Sequence, residues 1–212
     1  TRRSSDLQEG VVHAIDTNLG GGKGLSHEEM DGDQAAFADA CFESAVFPVL
    51  TPMAVDSSRP FPLIQNKSLN IGALIQDKKQ DDVVDIATVQ VPSVLPRIIE
   101  VPSANEGETD IILLEEVIER NLDQLFLNYT VLSAHPYRVM RNADLSIDEE
   151  EAADLLKEIE SKLKQRQWGE VIRLEVEATI NKKLLAILKK NLGVNEIDIY
   201  KIKGPIEIGR AS

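Results

Sequence analysis

Four prolines fall within fifteen residues, at positions 48, 52, 60 and 62, and they limit what this part of the chain can form. Each proline lacks a backbone N–H donor and fixes its own φ, so it disrupts the interior of a helix or of a central strand. Residues 47–62 are therefore predicted to form a rigid, extended connector between two packed parts of the chain.

The composition is that of a single soluble domain with an appendage. The chain has 212 residues, of which 42% are hydrophobic and 28% are charged. It has no apolar run of the roughly 18–20 residues that a membrane-spanning helix needs, and its start lacks the apolar stretch of a secretory signal. The single cysteine, Cys41, excludes an internal disulfide. We therefore expect a cytoplasmic protein without a membrane span.

The formal net charge of −13 constrains the partners of the chain. A strongly acidic surface repels polyanions at long range, so we expect no nucleic-acid binding. The same argument makes the chain as a whole a poor holder of other extended polyanions. Any phosphate contact would have to be a small, local basic site.

Hydrophobic patterning predicts the secondary structure. Residues 1–32 form an N-terminal extension that is predicted to be flexible, and a helix is predicted from its N-cap Asp33 to the residues before Pro48. Pro136 is expected at a sheet edge or a bulge. Further helices are predicted near 114–125, 146–163 (with a capping box of Ser146 and Glu149) and 184–192, and strands at 69–75, 85–91, 97–101, 130–141, 171–177 and 197–202.

This order of elements predicts an α+β fold, a mixed β-sheet flanked by helices and preceded by one helix. The sheet domain is predicted to span residues 51–208. Residues 33–50 form the preceding helix, and residues 209–212 are expected to be a tail or a cloning remnant.

Motifs for several kinds of chemistry are absent. The run Gly20–Gly24 with Lys23 lacks the spacing and the Ser or Thr of a phosphate-binding loop. His13 and His27 fall in the predicted flexible extension, and His135 is expected as an edge-strand imidazole half in solvent. No His/Cys spacing suits zinc, and no nucleophile elbow is present. We therefore predict no catalytic residue and no metal site.

Two arginines that are close in sequence are candidates for phosphate contact. Guanidinium groups match phosphate geometry, and Arg138 and Arg141 stand in an otherwise acidic chain. In a strand, their spacing of three places them on opposite faces unless a bulge intervenes. The alternative is that they pair with nearby acids such as Asp144. Weaker candidates of the same kind are Arg59, Lys67 and Arg97.

Seven sequence blocks follow one another along the chain: 47–56 with 60–62, 66–70, 91–97, 113–118, 138–145, 171–177 and 204–208. Taken in this order, they resemble the bacterial polyphosphate kinases. Each block is weakly specific, but the set covers roughly residues 34–208 in the order that the family has.

The resemblance implies the middle, or head, domain of an enzyme that reversibly transfers the terminal phosphate of ATP to polyphosphate through a phosphohistidine. The fold of this domain resembles small phosphohistidine phosphatases, and a likeness of fold transfers no activity. In the family the phosphate-accepting histidine and the Mg²⁺-binding residues lie in later domains, and this chain is expected to stop where they begin. The helix at 33–50 is implied to be a remnant of the preceding N-terminal domain.

Three functions remain open at this point. The resemblance implies a non-catalytic part that serves scaffolding and assembly of a homo-oligomer, specifically a dimer, with ATP, Mg²⁺ and polyphosphate bound through other domains. The alternative is a polyphosphate- or nucleotide-binding module that acts through Arg138 and Arg141. The third is an independent acidic interaction module.

Overall fold

The structure is a computed structural model, and it describes residues 23–55, 61–79, 84–103, 105, 108–142 and 169–206. Several predictions concern residues outside these ranges and stay predictions. They are the flexible part of the extension up to residue 22 with His13, the candidate Arg59, the ion-pair partner Asp144, the capped helix at 146–163 and the tail at 209–212.

The fold is α+β, as predicted, and the described residues form two sheets. The larger sheet consists of β2 (Pro52–Val55), β3 (Leu69–Asp77), β4 (Val84–Gln90), β7 (Tyr129–Arg141), β8 (Val171–Glu177) and β9 (Ile199–Ile202). Its strand order is β2–β4–β3–β7–β8–β9, with antiparallel neighbours except for the parallel pair β8 and β9.

The smaller sheet has three strands, β1 (Gly24–Leu25), β5 (Ile98–Pro102) and β6 (Thr109–Leu113), in the order β1–β6–β5. Strand β1 pairs in parallel with β6 through Gly24 and Leu25. These two residues were predicted to belong to a flexible extension, and that prediction is corrected here. The short strand was not recognised because two residues give no periodicity.

The helices are α1 (Gly32–Cys41), α2 (Leu114–Arg120), α3 (Leu122–Leu125) and α4 (Lys182–Leu192). The N-cap of α1 is Asp31 rather than the predicted Asp33. The Asp31 carboxylate accepts hydrogen bonds from the backbone N–H groups of Asp33 and Gln34. In return, the backbone N–H of Asp31 donates to the side-chain oxygen of Gln34. Helix α4 ends at Gly193 with φ 67°, which confirms the predicted left-handed cap.

Two hydrophobic cores lie on opposite faces of the larger sheet. One face packs against α1 and α2, with Phe42 and Val117 in its core. The other face packs against α4, with Tyr137 and Leu184 in its core. Strand β3 lies between β4 and β7 and is buried on both faces, so the prediction of a half-buried strand at 69–75 is wrong.

A glycine in β3 leaves room for an aromatic ring of the neighbouring strand β7. A Cβ atom on Gly72 would lie 3.3 Å from the ring of Tyr137, which is tighter than ordinary contact. The Tyr137 hydroxyl lies 2.8 Å from the Thr88 hydroxyl, so the buried phenol keeps a hydrogen bond. Burial raises the pKa of Tyr137.

The proline-rich stretch is only partly the connector that was predicted. Pro48 lies in a 3₁₀ turn (Phe47–Val49) at the end of the first helical segment. Pro52 begins β2, an edge strand of the larger sheet, where the missing N–H is tolerated. Pro136 lies within β7 just before the ladder with β8, which begins at Tyr137. None of the helices in the described ranges is long and apolar enough to span a membrane.

Candidate functional site: charged clusters of the larger sheet

The candidate Arg138 lies in an ion-pair cluster inside the larger sheet. It stands opposite Glu175 in the β7–β8 ladder. The Nε and Nη2 atoms of Arg138 each lie 2.7 Å from Glu175 Oε2, and both side chains are 6% exposed. The Nη2 atom of Arg173 lies 2.8 Å from the other carboxylate oxygen, Oε1. Two guanidinium groups therefore share one carboxylate.

This cluster keeps donors that the described residues do not satisfy. Arg138 Nη1 and Arg173 Nε are buried, and neither has a hydrogen-bond partner in the part of the chain that the structure describes. The Arg173 guanidinium lies 4.0 Å from the centroid of the Tyr200 ring, a cation–π contact. Two cations and one anion leave the cluster with a net charge of about +1, so it could accept one further anionic oxygen.

The candidate Arg141 connects loops to the sheet. Its Nε donates to the Ile64 carbonyl at 3.0 Å and its Nη1 donates to the Gly169 carbonyl at 2.8 Å. The backbone N–H of Arg141 donates to the Asn66 side chain at 2.9 Å. Partial burial lowers the pKa of Arg141. The ladder shifts register between Met140 and Arg141, so the bulge considered from the spacing is present.

The two weaker candidates that the structure describes, Lys67 and Arg97, lie in different parts of the fold. Lys67 is exposed and has φ 63°, and its backbone N–H donates to the Val139 carbonyl at 2.8 Å. Arg97 lies before β5, where its Nε is 3.0 and 3.1 Å from the two oxygens of the buried Glu115. Arg97 Nη2 also donates to the Ile206 carbonyl at 2.6 Å.

The structure thus brings three of the four described candidates to the same end of the larger sheet. Arg138 and Arg141 lie near the end of β7, and Lys67 is hydrogen-bonded to that strand through its backbone. Arg97 lies apart from them, paired with α2. A phosphate contact by any of these groups stays a prediction.

His27 is held more firmly than the sequence suggested. Its Nδ1 lies 2.6 Å from Glu116 Oε2 on α2, and its backbone N–H donates to the same oxygen at 2.9 Å. The hydrogen bond with Glu116 raises the pKa of His27, against the opposing effect of burial. The prediction that His27 belongs to a loose extension is therefore corrected.

His135 is paired in the same way. It lies opposite Gly72 of β3, in the part of β7 that precedes the ladder with β8, and its Nδ1 is 2.9 Å from Glu177 Oε2. Its side chain is 17% exposed, so it is less open to solvent than was predicted. The hydrogen bond with His135 lowers the pKa of Glu177, and a 3.1 Å bond from the Thr179 hydroxyl acts in the same direction.

Glu119 was not singled out from the sequence, yet its pKa is the most strongly shifted of the carboxyl groups in the described residues. Burial, together with the nearby carboxylates of Glu116, Glu177 and Glu115, raises the pKa of Glu119 to about 9. Glu119 is therefore protonated at neutral pH. A signal was present in the sequence, because positions 115, 116 and 119 place three acids within about one turn of a helix. Within the described ranges, no three His, Cys, Asp or Glu side chains are arranged to hold a metal ion.

The fold and these clusters define an α+β domain with charged groups built into its sheet and two hydrophobic cores on its faces. The family described as polyphosphate kinase middle domain matches residues 33–212. The chain belongs to this family.

Curated relatives support the assignment. The polyphosphate kinase of Halalkalibacterium halodurans is 45% identical over 185 residues, which is 87% of this chain and 26% of the relative. That of Lactiplantibacillus plantarum is 45% identical over 184 residues, 87% of this chain and 25% of the relative. That of Synechocystis is 38% identical over 185 residues, which is 83% of this chain and 25% of the relative. The chain thus spans about a quarter of the length of these relatives.

A solved structure has the same fold. The crystal structure of polyphosphate kinase from Porphyromonas gingivalis superposes with a TM-score of 0.69 over 98% of this chain and 32% of that one. The sequence identity is 20%, so this likeness shows the fold and no more.

Proposed function

We propose that this chain is the middle domain of an enzyme that reversibly transfers the terminal phosphate of ATP to polyphosphate. Within that enzyme it serves as a non-catalytic scaffold and as an element of dimer assembly. The names of the relatives and the family match over residues 33–212 support the enzyme class. ATP, Mg²⁺ and polyphosphate would be bound for the reaction by other parts of the enzyme.

One observation carries the non-catalytic role: the arginines buried in or beside the sheets are paired with buried carboxylates. Phosphoryl transfer needs cations that spread charge in a loose transition state. Arg97 and Arg138 are instead held by the carboxylates of Glu115 and Glu175. These contacts are suited to holding strands and helices in place.

The first experiment incubates the purified 212-residue chain with radiolabelled ATP, Mg²⁺ and a polyphosphate primer. We expect neither labelled polymer nor acid-labile phosphoprotein, while the polyphosphate kinase of Halalkalibacterium halodurans, run alongside as positive control, forms both. Labelled polymer made by the chain alone would overturn the scaffold role. Sedimentation equilibrium of the same sample tests dimer assembly, and a monomer at high protein concentration would contradict that part of the proposal.

A second candidate function is phosphate or nucleotide binding through Arg138 and Arg141. Arg138 Nη1 and Arg173 Nε favour it, because each is a buried donor that has no partner among the described residues and that an anionic oxygen would satisfy. Burial of Arg138 opposes it, since a ligand would have to enter between packed side chains. The test compares ATP and polyphosphate binding by the chain with that of R173Q, which changes the more exposed arginine. Unchanged binding in R173Q would dismiss this function for the cluster.

A further inference from the structure

A groove runs along one face of α4. This part of the surface is rich in lysines, whereas the chain as a whole is acidic. Residues three, four, seven and eight positions after Lys182 share one helical face with it. Together with the turn after the helix, they enclose a groove of about 570 Å³. The lining residues are Lys182, Leu185, Ala186, Lys189, Lys190, Gly193, Val194, Asn195 and Glu196.

The charge of this region is opposite to that of the chain. Residues 182–203 contain six lysines and two acidic residues, although the formal net charge of the chain is −13. Lys182, Lys183 and Lys190 are exposed and form no ion pair with any described residue. Lys189 pairs with Glu196, which is 79% exposed and also lines the groove. A local excess of amines therefore remains on this surface.

Two of these lysines stand where they do not serve the stability of the helix. Cations near a helix C-terminus interact favourably with the helix dipole, which accounts for Lys189 and Lys190. Lys182 and Lys183 stand in the first turn, where the dipole disfavours cations, and this turn has no acidic residue to offset them. Lysines at both ends of one helix leave it positively charged along its whole length, an arrangement that an anionic ligand would stabilise.

We propose that the groove on α4 binds a linear chain of phosphoryl groups. The lining residues from Lys182 to Gly193 extend over about 16 Å of helix at 1.5 Å per residue, so the surface suits an extended ligand rather than a single ion. Lysine acts on phosphate as a mobile point charge, which suits a ligand with a charge on every unit. The long-range repulsion from the acidic remainder makes this local basic surface the favoured point of contact.

The choice of polyphosphate over other phosphoryl chains rests on the proposed function, whereas the groove itself rests on the geometry and charge of α4. Polyphosphate and nucleoside triphosphates share the linear phosphoanhydride chain and differ in length. The groove has no part in the chemical step, so the test measures binding rather than turnover. A failure of this proposal is thereby distinguished from a failure of the proposed function.

The test titrates the 212-residue chain with long-chain sodium polyphosphate, ATP and orthophosphate by calorimetry at low and moderate salt. The double variant K182Q/K190Q is compared with K23Q/K79Q, which removes the same charge from exposed lysines outside the groove. We expect K182Q/K190Q to bind polyphosphate roughly tenfold more weakly, with a shallower dependence on salt, because two amine–phosphate contacts are lost. The control variant is expected to bind like the unchanged chain.

Two results would overturn the proposal. One is that polyphosphate binding is weakened equally in both double variants, which would indicate a general effect of charge. The other is the absence of polyphosphate binding at low salt. Equal affinity for ATP and polyphosphate, lost in K182Q/K190Q alone, would support the groove and identify a triphosphate as sufficient. Thermal unfolding of both variants checks that the fold is retained.

Discussion

The arginines of the larger sheet and the lysines of α4 carry the same charge in opposite surroundings. The Arg138 side chain is 6% exposed and shares a buried carboxylate with Arg173, whereas Lys182 and Lys190 are exposed and form no ion pair among the described residues. The guanidinium fork suits fixed carboxylate partners within a sheet, and the strongly hydrated ammonium stays in water. The difference shows that basic residues in this chain divide into those that hold the fold and those that are available to a ligand.

The largest expected effect comes from removing the carboxylate at the centre of the buried cluster. E175Q leaves Arg138 and Arg173 without their anionic partner, and breaking a buried pair costs about 3–5 kcal/mol of unfolding free energy. The matched control is E196Q, which removes an exposed partner of Lys189 and is expected to leave stability nearly unchanged. Urea unfolding measures both. A loss below about 1 kcal/mol in E175Q would show that the cluster does not hold the sheet.

The next largest change is a gain in the free energy of unfolding, and its size depends on pH. The folded-state pKa of Glu119 is raised from 4.5 to about 9, so the folded chain binds a proton that the unfolded chain releases. Stability is therefore lost as the pH rises from about 4.5 towards 9. E119Q removes this loss, and we expect it to stabilise the chain by up to about 3 kcal/mol at pH 7, with no gain at pH 4.

Urea unfolding of E119Q and the unchanged chain at several pH values checks this expectation. The control E108Q changes a partly exposed carboxylate that accepts a hydrogen bond from the Asn105 side chain, and it should show a smaller gain. A gain in E119Q that is constant between pH 4 and 8 would exclude titration of Glu119 as its cause.

A smaller, pH-dependent effect is expected at the contact between the N-terminal segment and α2. Glu116 raises the pKa of His27, so this pair stabilises the fold fully below the unfolded pKa of 6.5 and loses its contribution as the pH rises through the folded value. We expect H27Q to cost about 0.5–1 kcal/mol at pH 5.5 and less at pH 8.5. Unfolding at both pH values measures the difference. An equal cost at both would indicate packing rather than charge.

The division between the two kinds of basic residue could be predicted only in part from the sequence. The α+β fold and the family followed from ordered sequence blocks, and the left-handed cap at Gly193 followed from local chemistry. The partner of Arg138 could not be predicted, because Glu175 lies 37 residues away and meets it only through the β7–β8 register. The same holds for His27, whose partner Glu116 is 89 residues away.

The sequence shows the lysines of α4, but it does not show the groove that they line. The helical spacing of residues 184–192 predicted the helix. In the structure it begins at Lys182, which places two lysines in its first turn, against the helix dipole. The turn at 193–196, which forms the other side of the groove, is placed by packing of Val194 in the core beneath α4. The groove therefore depends on tertiary packing, which places this turn beside the lysines of α4.

The smallest expected effect separates the roles of two lysines on the same helix face. Removing the first-turn cation in K182Q relieves an unfavourable interaction with the helix dipole and should stabilise the chain by about 0.3–0.5 kcal/mol. K190Q removes a favourable interaction in the last turn and should destabilise it by a similar amount, about 0.3–0.5 kcal/mol. Both single variants should weaken polyphosphate binding, although their effects on thermal unfolding differ in sign. If K182Q were instead less stable than the unchanged chain, Lys182 would serve the fold, as the arginines of the sheet do, and the contrast between the two regions would no longer hold at that position.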